Sequence, residues 1–445
     1  KLTNVLSTKN ISLIREVPFN IGAEQALLGA ILSKSLIFPG IALGDLLLLI
    51  GVLILITFYS NKLKIGLYEI SVSILILLTS IIFIFSETGS YFSINEFMKS
   101  YVKLIFYLIC FILFSSFLKI IETKKIITII FYTSLINAIL ALLIYAMQNI
   151  NLDINFYHFL WFGLEEPGKI ATDVNHWQMA NSTLIRLRGI FAEPSLYGIY
   201  QTISIALIFL NYPRILINNK IAFSLILISI IFTFSISTYA IMTFLFFVLL
   251  IKKNARNSLK DLIAFNAFAI VIGIIIFFVF VSSFSFIDAF YERVIQRIFD
   301  FFDGFERSGV QRINQSYVTA IVGLENSILF GSGLGNIAQL FEATEYKTMY
   351  ITGIDEIQYY SARSHVVPYA ILGELGILGI VLFSLLLFQY MKYDNIYIYS
   401  FYIIYLFSTG TYLDSSFWIF FSMMRFADRS GNIKNREINS NEKKY

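Results

Sequence analysis

The feature that most constrains this chain is the repetition of apolar runs about 20 residues long along almost its whole length. Hydrophobic residues make up 57% of the 445 residues and charged residues only 14%, whereas soluble domains carry about 25% charged residues. A run of about 20 apolar residues is long enough to cross a bilayer as a helix. The sequence therefore predicts an all-α polytopic integral membrane protein, and it argues against one large soluble core.

We expect about 12 transmembrane helices. Basic residues gather in the loops after every second predicted helix and in the C-terminal tail, which the positive-inside rule makes cytoplasmic. Both termini are therefore expected inside the cell. A polar break at 235–239 separates the seventh helix from the eighth. The predicted helices are 21–40, 43–60, 67–86, 101–119, 126–147, 190–211, 220–235, 237–252, 262–284, 366–390, 396–409 and 412–426.

This topology leaves two long segments outside the cell. The second is long enough for a small helical lid but short for an independent enzyme domain, and Phe290–Phe299 has the pattern of a helix lying along the membrane surface. The predicted organisation is N-terminal helices in 1–147, an external loop in 148–189, central helices in 190–284, a large, partly helical external loop in 285–364, C-terminal helices in 365–426 and a cytoplasmic tail in 427–445.

Charged residues gather directly before one of these helices. Pro194 is expected to begin the helix, because proline is favoured at the first helical position. Arg186, Arg188 and Glu193 precede it, and charges at such a place are costly unless they pair with each other or with a ligand. The helix N-terminus adds partial positive charge, which favours an anion. The pattern predicts a site for an anionic, membrane-embedded substrate.

The arginines outside the membrane have no role in topology, so Arg312 and Arg363 need another explanation. They pair either with the acidic residues of the loops and lipid phosphates or with a ligand. A guanidinium group holds phosphate oxygens with two parallel hydrogen bonds. His365 stands two residues after Arg363 at the start of the tenth helix, where it is either a simple interfacial group or part of a site. Glu374 falls on the opposite face of that helix, and beside closely spaced glycines it is interpreted as a structural contact.

Other motifs narrow the chemistry. Gly331–Asn336 is glycine-rich but lacks the spacing of a nucleotide-binding loop, so it is interpreted as a tight turn. Cys110 is the only cysteine, which excludes disulfides and cysteine-rich metal sites. Zinc patterns and the paired aspartates of nucleotide-sugar enzymes are also missing from the sequence. We expect no cofactor, no metal and no nucleic-acid partner.

Three motifs, taken in order, resemble a known superfamily. Arg186–Ser195 is similar to its Arg-x-x-Gly-x-Phe segment, in a Glu-Pro-Ser form. Ser308–Arg312, followed by Phe330–Asn336, resembles the arginine and glycine turn of its external loop, and His365 followed by Glu374-Leu-Gly matches its His…Glu-x-Gly pattern. Together they resemble the bacterial O-antigen polymerases (Wzy-type) and O-antigen ligases, membrane glycosyltransferases that take sugar chains from undecaprenyl diphosphate.

The resemblance implies a GT-C-like fold in the bacterial inner membrane, with the active site facing the periplasm. It implies that Arg186 and Arg312 hold the donor diphosphate and that His365 acts near the acceptor or the diphosphate. Glu193 is a second candidate base. Val366 stands where ligases usually have asparagine, and Glu193-Pro-Ser is the form common among polymerases, so both features favour a polymerase.

We therefore expect a surface-polysaccharide polymerase that adds the growing glycan to the next lipid-linked repeat unit. Its partners would be the undecaprenyl-diphosphate-linked donor and acceptor, the lipid bilayer and, as a further candidate, a chain-length regulator. A ligase acting on lipid A–core and a flippase for lipid-linked oligosaccharides remain as alternatives. Four aromatic residues are candidates either for stacking on sugars or for anchoring at the membrane interface: Trp161, Trp177, Tyr359 and Tyr360.

Overall fold

The structure is a computed structural model, and it is helical apart from one short hairpin in the part of the chain that it describes. The chain forms two compact units. The first contains Lys1–Ser60, Ile121–Glu306 and Ala427–Tyr445, and the second contains Asn61–Ile120 and Arg307–Phe426. The described residues are 36–38, 41–59, 61, 63, 65–85, 91–118, 123–149, 186–187, 194–251, 291–296, 299, 307–343, 366–388, 402–403, 406, 412–413 and 417–423.

Eleven helices are numbered here in chain order over those residues, and a π-helical turn, Tyr291–Gln296, lies between the eighth and the ninth. Residues 417–423 are also helical. The helices are α1 Leu43–Tyr59, α2 Leu67–Phe85, α3 Ile94–Leu118, α4 Thr123–Asn149, α5 Pro194–Asn211, α6 Arg214–Asn218, α7 Lys220–Ile231, α8 Ile236–Ile251, α9 Arg307–Asn326, α10 Ile337–Ala343 and α11 Val367–Phe388.

Four of the described helices are long and apolar enough to cross a membrane, namely α2, α3, α4 and α11. Shorter apolar helices occur within α1, α5, α7 and α8. The apolar helices agree with a helical membrane protein, whereas the number of 12 spans, the side of each loop and the predicted domain limits remain predictions.

One element differs from its predicted helix. Leu36–Phe38 and Ile41–Ala42 form a two-stranded antiparallel hairpin, with Leu36 opposite Ala42, so the end of the helix predicted at 21–40 is wrong. The two residues between the strands are Pro39 and Gly40. This pair favours reversal of the chain, because proline presets the first turn position and glycine accepts a positive φ at the second.

In the first unit, α5 is the central helix and packs against α4, α7 and α8. Every side chain from Tyr197 to Leu210 is buried, as expected for a helix that is apolar on all sides. Its polar residues are satisfied locally. Thr202 and Ser204 donate hydrogen bonds to the carbonyl oxygens four residues earlier, at 2.8 and 2.9 Å.

In the second unit, α11 packs against α9 and α2, and α2 packs against α3. An aromatic cluster fills part of its core. Trp418 is fully buried and lies 5.6 Å from both Phe111 and Phe383, measured between ring centroids. Its indole Nε1 donates a hydrogen bond of 2.8 Å to the carbonyl oxygen of Tyr412, so the residues after α11 are held against α3 and α11.

Candidate functional site

The candidate site in the first unit begins at a gap between two helices. α7 ends at Ile231 and α8 begins at Ile236, which confirms the predicted break and shifts it a few residues towards the N-terminus. Phe234 lies in the gap with a φ of 47°, a left-handed conformation that costs a non-glycine residue about 1–2 kcal/mol. Its buried ring, 6.3 Å from that of Phe232, offsets this cost by packing.

Residues 186–187, which are distant in the sequence, bind to the backbone in this gap. The backbone N–H of Leu187 donates a hydrogen bond of 2.9 Å to the carbonyl oxygen of Phe232. The Nε of Arg186 donates one of 3.0 Å to the carbonyl oxygen of Thr233. A helix C-terminus presents carbonyl groups with partial negative charge, and therefore the end of α7 is a favourable place for the guanidinium group of Arg186.

Two helix N-termini meet next to this arginine. α5 begins at Pro194, as predicted, and Thr238 in the first turn of α8 lies 3.5 Å from the carbonyl oxygen of Ser195. Thr238 also contacts Gly198 so closely that a Cβ at this glycine would overlap its side chain. The charge of Arg186 acts on the phenol of Tyr239, which is likewise in the first turn of α8. The positive ends of two helices and one arginine thus gather in one place.

A buried polar network begins at the first turn of α5 and extends into the helix bundle. Tyr197 donates a hydrogen bond of 2.7 Å to Ser229 of α7. Gln201 of α5 donates one of 3.2 Å to Tyr197, and its side-chain oxygen accepts one from Ser134 of α4. All four side chains are buried. Since buried hydrogen-bonded networks are rigid, this one fixes α5 relative to α4 and α7.

Arg312, the other predicted site arginine within the described residues, belongs to the second unit. Its backbone lies in α9. α9 is followed by the predicted turn, in which Gly331, Gly333 and Gly335 have φ values of 70°, 82° and 74°. Positive φ is readily adopted by glycine alone, and the turn prediction at 331–336 is confirmed.

Glu374 has the structural contact that the sequence suggested. The hydroxyl of Tyr412 donates a hydrogen bond of 2.5 Å to its Oε2 atom, and Tyr412 is itself held by Trp418. Glu374 lies beside a break in α11 that the sequence did not reveal, since Gly376 has a φ of 62° inside the helix. In the loop before α3, burial raises the pKa of the Tyr91 phenol.

Of the predicted site residues, the structure places the side chain of Arg186 and the backbone of Arg312. The structure joins Arg186 to the α7–α8 gap. The polar run at 235–239 predicted the gap from the sequence, but not its contact with Arg186. The other predicted site residues lie outside the described part of the chain, and their roles remain predictions. They are Arg188, Glu193, Trp161, Trp177, Tyr359, Tyr360, Arg363 and His365.

Thr233, Ser235 and Thr238 are residues of the site that sequence reasoning did not assign to it. They are buried around the α7–α8 gap, and the carbonyl oxygen of Thr233 accepts the hydrogen bond from Arg186. Within the described residues, no group of three or more His, Cys, Asp or Glu side chains could hold a metal ion. That finding does not test the expectation of a metal-independent site. No protein-family model, curated protein or solved structure matches the chain.

Proposed function

We propose that this chain is a surface-polysaccharide polymerase of the inner membrane, which transfers a growing glycan from undecaprenyl diphosphate to the next lipid-linked repeat unit. The observation that carries the proposal is the meeting of the N-termini of α5 and α8 beside Arg186. A helix N-terminus presents N–H groups and partial positive charge to an anion. Two of them with a guanidinium group suit a diphosphate better than a neutral ligand.

The reaction needs stabilisation of charge more than any other assistance. The acceptor hydroxyl attacks the anomeric carbon of the donor sugar, the bond from that carbon to the phosphate oxygen breaks, and the diphosphate leaves with the electron pair. Fixed positive groups stabilise the departing charge best in a preorganised site. Arg186 is preorganised, because its Nε donates a hydrogen bond to the carbonyl oxygen of Thr233, which fixes the positive charge of the guanidinium group at the end of α7.

The remaining roles follow from the resemblance. The proton of the acceptor hydroxyl passes to a base, for which His365 is the first candidate and Glu193 the second. Arg312 would contribute to binding of the diphosphate, and Arg188 and Arg363 to binding of the substrate. Neither a nucleotide nor a metal ion enters this scheme, because the lipid diphosphate already carries the driving force.

One observation favours a second candidate, a flippase for lipid-linked oligosaccharides. α11 is interrupted at Gly376, and the substrate sites of many transporters are formed by interrupted helices. The gap between α7 and α8 fits the same description. A transporter would move the lipid-linked repeat unit without lengthening its glycan.

The test is an assay of the purified full chain in nanodiscs with synthetic undecaprenyl-diphosphate-linked repeat units, followed by gel analysis of the glycans. A ladder of products is expected from the wild type. Arg186→Ala should lower the rate by about 100-fold or more, the loss typical when one fixed donor to a developing anion is removed. Arg186→Lys should retain part of the rate, because it keeps the charge but not the planar fork.

Arg214→Ala is the matched control, because Arg214 is an exposed arginine of the same unit, located in α6. It should leave the ladder unchanged. A normal ladder from Arg186→Ala protein would contradict the proposed role of Arg186. If the wild type makes no ladder but moves the labelled lipid across liposomes, the chain is a transporter, and if it extends lipid A–core instead, it is a ligase.

A further inference from the structure

α9 and the turn that follows it both lie within the segment predicted to be external. α9 and α11 lie side by side and run in the same direction. Their contacts follow the same order along both helices: Tyr317 lies 6.4 Å from Tyr369 between ring centroids, Gly323 faces Gly373, and the turn reaches residues 377–378. Residues in contact on the two helices are therefore always about 50 positions apart in the sequence, as expected for parallel helices of equal rise.

The turn after α9 ends at the break of α11 and satisfies its backbone. The N–H groups of Ile377 and Leu378 donate to the carbonyl oxygens of Ile328 and Leu329, at 3.0 and 3.3 Å, and the N–H of Ser332 donates to Gly373 at 2.8 Å. Interrupted backbone at membrane depth is tolerated where protein covers it and supplies its hydrogen bonds. The turn supplies them here.

This alignment sets the depth that the turn reaches. α11 is a candidate span over the 22 residues Val367–Phe388, a length of about 33 Å that matches the hydrocarbon thickness of a bilayer. Leu378 lies at its middle. A turn bonded to Leu378 is therefore near the middle of the span, although α9 begins on the same side as α11.

The surface at this depth is apolar. Ile328 and Leu329 at the tip of the turn are 63% and 52% exposed, and Ile377 and Val381 of α11 are 44% and 46% exposed. No large apolar side chain of α11 before the break is comparably exposed. The exposed tip of the turn thus continues the exposed apolar stripe of α11, which faces acyl chains if α11 spans the bilayer.

We propose that α9 and the turn 327–336 form a re-entrant hairpin, which enters the membrane from the side on which α11 begins and ends near the middle of the bilayer. The occupant of the surface formed by Ile328 and Leu329 is the acyl region of the lipids. Glu325, one turn earlier, is exposed as well, and an ionised carboxylate among acyl chains is costly. The side of the hairpin that carries Glu325 therefore faces a water-filled cleft.

The hairpin also places Arg312. Arg312 precedes the end of α9 by 14 residues, or about 21 Å of helix, so a tip near the bilayer centre brings the start of α9 to the level of the lipid phosphates. In the sequence, His365 precedes Val367, the first residue of the parallel helix, by two residues. The re-entrant hairpin does not depend on glycosyl transfer, but it brings the backbone of Arg312 to the level of the lipid phosphates.

The test uses single nitroxide labels on the full chain in bilayers, in a Cys110→Ala background, since Cys110 is the only native cysteine and is buried. Labels at Ile328→Cys and Leu329→Cys are compared with a lipid-facing reference, Ile377→Cys, and with Glu325→Cys as the aqueous reference. Collision with oxygen reports on lipid, and collision with a water-soluble nickel chelate reports on water. Labels at 328 and 377 should lie at one depth within a helical turn, about 5 Å.

The ratio of oxygen to nickel collisions at 328 and 329 should be several-fold higher than at 325. A ratio at 328 and 329 that is well below the ratio at 377 and equal to that at 325 would place the tip in water and overturn the proposal. Labels at 328 and 329 that collide with neither reagent would show that protein covers the tip, which would also overturn it. If labelling disturbs the fold, quenching of Ile328→Trp fluorescence by brominated lipids answers the same question, with Ile377→Trp as reference. Loss of glycan synthesis alone would leave these readings unchanged, so a failure of the proposed function is distinguishable.

Discussion

Each unit contains an interrupted stretch of helix, and the two units close the interruption differently. In the first, the gap between α7 and α8 receives a backbone hydrogen bond from Leu187 and a side-chain hydrogen bond from Arg186. In the second, the break of α11 at Gly376 is joined to the turn after α9 by backbone hydrogen bonds. The first closure brings the positive charge of Arg186 to the gap, whereas the hydrogen bonds described between α11 and the turn join backbone to backbone.

The difference indicates that the gap between α7 and α8 can bind an anion, whereas the break of α11 serves to hold α11 and the turn after α9 together. Around the first gap, Phe234 keeps a left-handed conformation, and the Nε of Arg186 donates to the carbonyl oxygen of Thr233. Such strain persists where the surrounding structure enforces it, often at functional sites. Around the second break, glycine occupies the positions where chain approaches chain.

Gly376→Ala should be strongly destabilising, because it combines backbone strain with steric overlap. Gly376 has φ 62° and ψ −160°, a region that is open almost only to glycine and costs other residues about 1–3 kcal/mol. A Cβ there would also overlap the backbone of Leu329 and Phe330, and overpacking adds about 1–3 kcal/mol. We expect a loss of about 3 kcal/mol or more in the free energy of unfolding, measured by titration of detergent-purified protein with SDS. Val381→Ala, a change at an exposed position of the same helix, is the control. Equal losses from both variants would contradict the close contact between the break of α11 and the turn after α9.

Phe234→Ala and Phe234→Gly should separate strain from packing at the first gap. Both lose a buried ring, which costs about 3–5 kcal/mol for alanine. Glycine accepts φ 47° without strain, so it should regain about 1 kcal/mol relative to alanine. The measurement is the same unfolding titration on both variants. If the alanine variant is the more stable of the two, the gap is not strained.

Gly323→Ala and Gly198→Ala make the same change at the helix contacts of the two units. A Cβ at Gly323 would overlap the backbone of Gly373, whereas one at Gly198 would overlap only the side chain of Thr238. Backbone cannot move aside as easily as a side chain, so Gly323→Ala should cost about 2 kcal/mol and Gly198→Ala about half as much. Adding Thr238→Ala should recover part of the loss at Gly198. Full stability of Gly323→Ala in the unfolding titration would show that α9 and α11 are not in such close contact.

Tyr412→Phe should have the smallest effect. It removes the hydroxyl that donates to Glu374, and loss of a hydrogen bond to a charged group costs about 1.5–3 kcal/mol when the partner stays buried. Because Glu374 is only partly buried, we expect a loss near 1 kcal/mol. Glu374→Gln retains an acceptor and should lose less. A double-mutant cycle between positions 412 and 374 checks the pair, and an interaction energy of zero would contradict it.

Much of the local structure could be predicted from the sequence, because local signals encode it. Apolar runs of the right length gave α2, α4 and α11 within a few residues of their limits. Pro194 marked the start of α5, and the polar residues at 235–239 marked the gap before α8. The hairpin at 36–42 was missed, since apolar residues around Pro39 and Gly40 were included in a helix although the pair favours a turn.

The contacts between distant segments could not be predicted from one sequence. Gly373, Gly376 and Gly379 recur at a spacing typical of helix packing, which describes Gly373 correctly but conceals the break at Gly376. That break depends on a partner about 50 residues earlier in the chain, and no local pattern shows this. The arginine motif pointed to Arg186, but its partner at Thr233 comes from tertiary structure. Phe234 carries no sequence signal of its positive φ.

The backbone bonds between the turn and α11 also impose an order on biogenesis. Ile328 and Leu329 find their partners in residues 377 and 378, which leave the ribosome about 50 residues later. At about 5–20 residues per second, that delay is roughly 2–10 s. During this interval the turn has carbonyl groups that lipid cannot satisfy, so it must wait in water or in the translocon. α9 is thus translated before α11, but it can reach its final position only after α11 has been made.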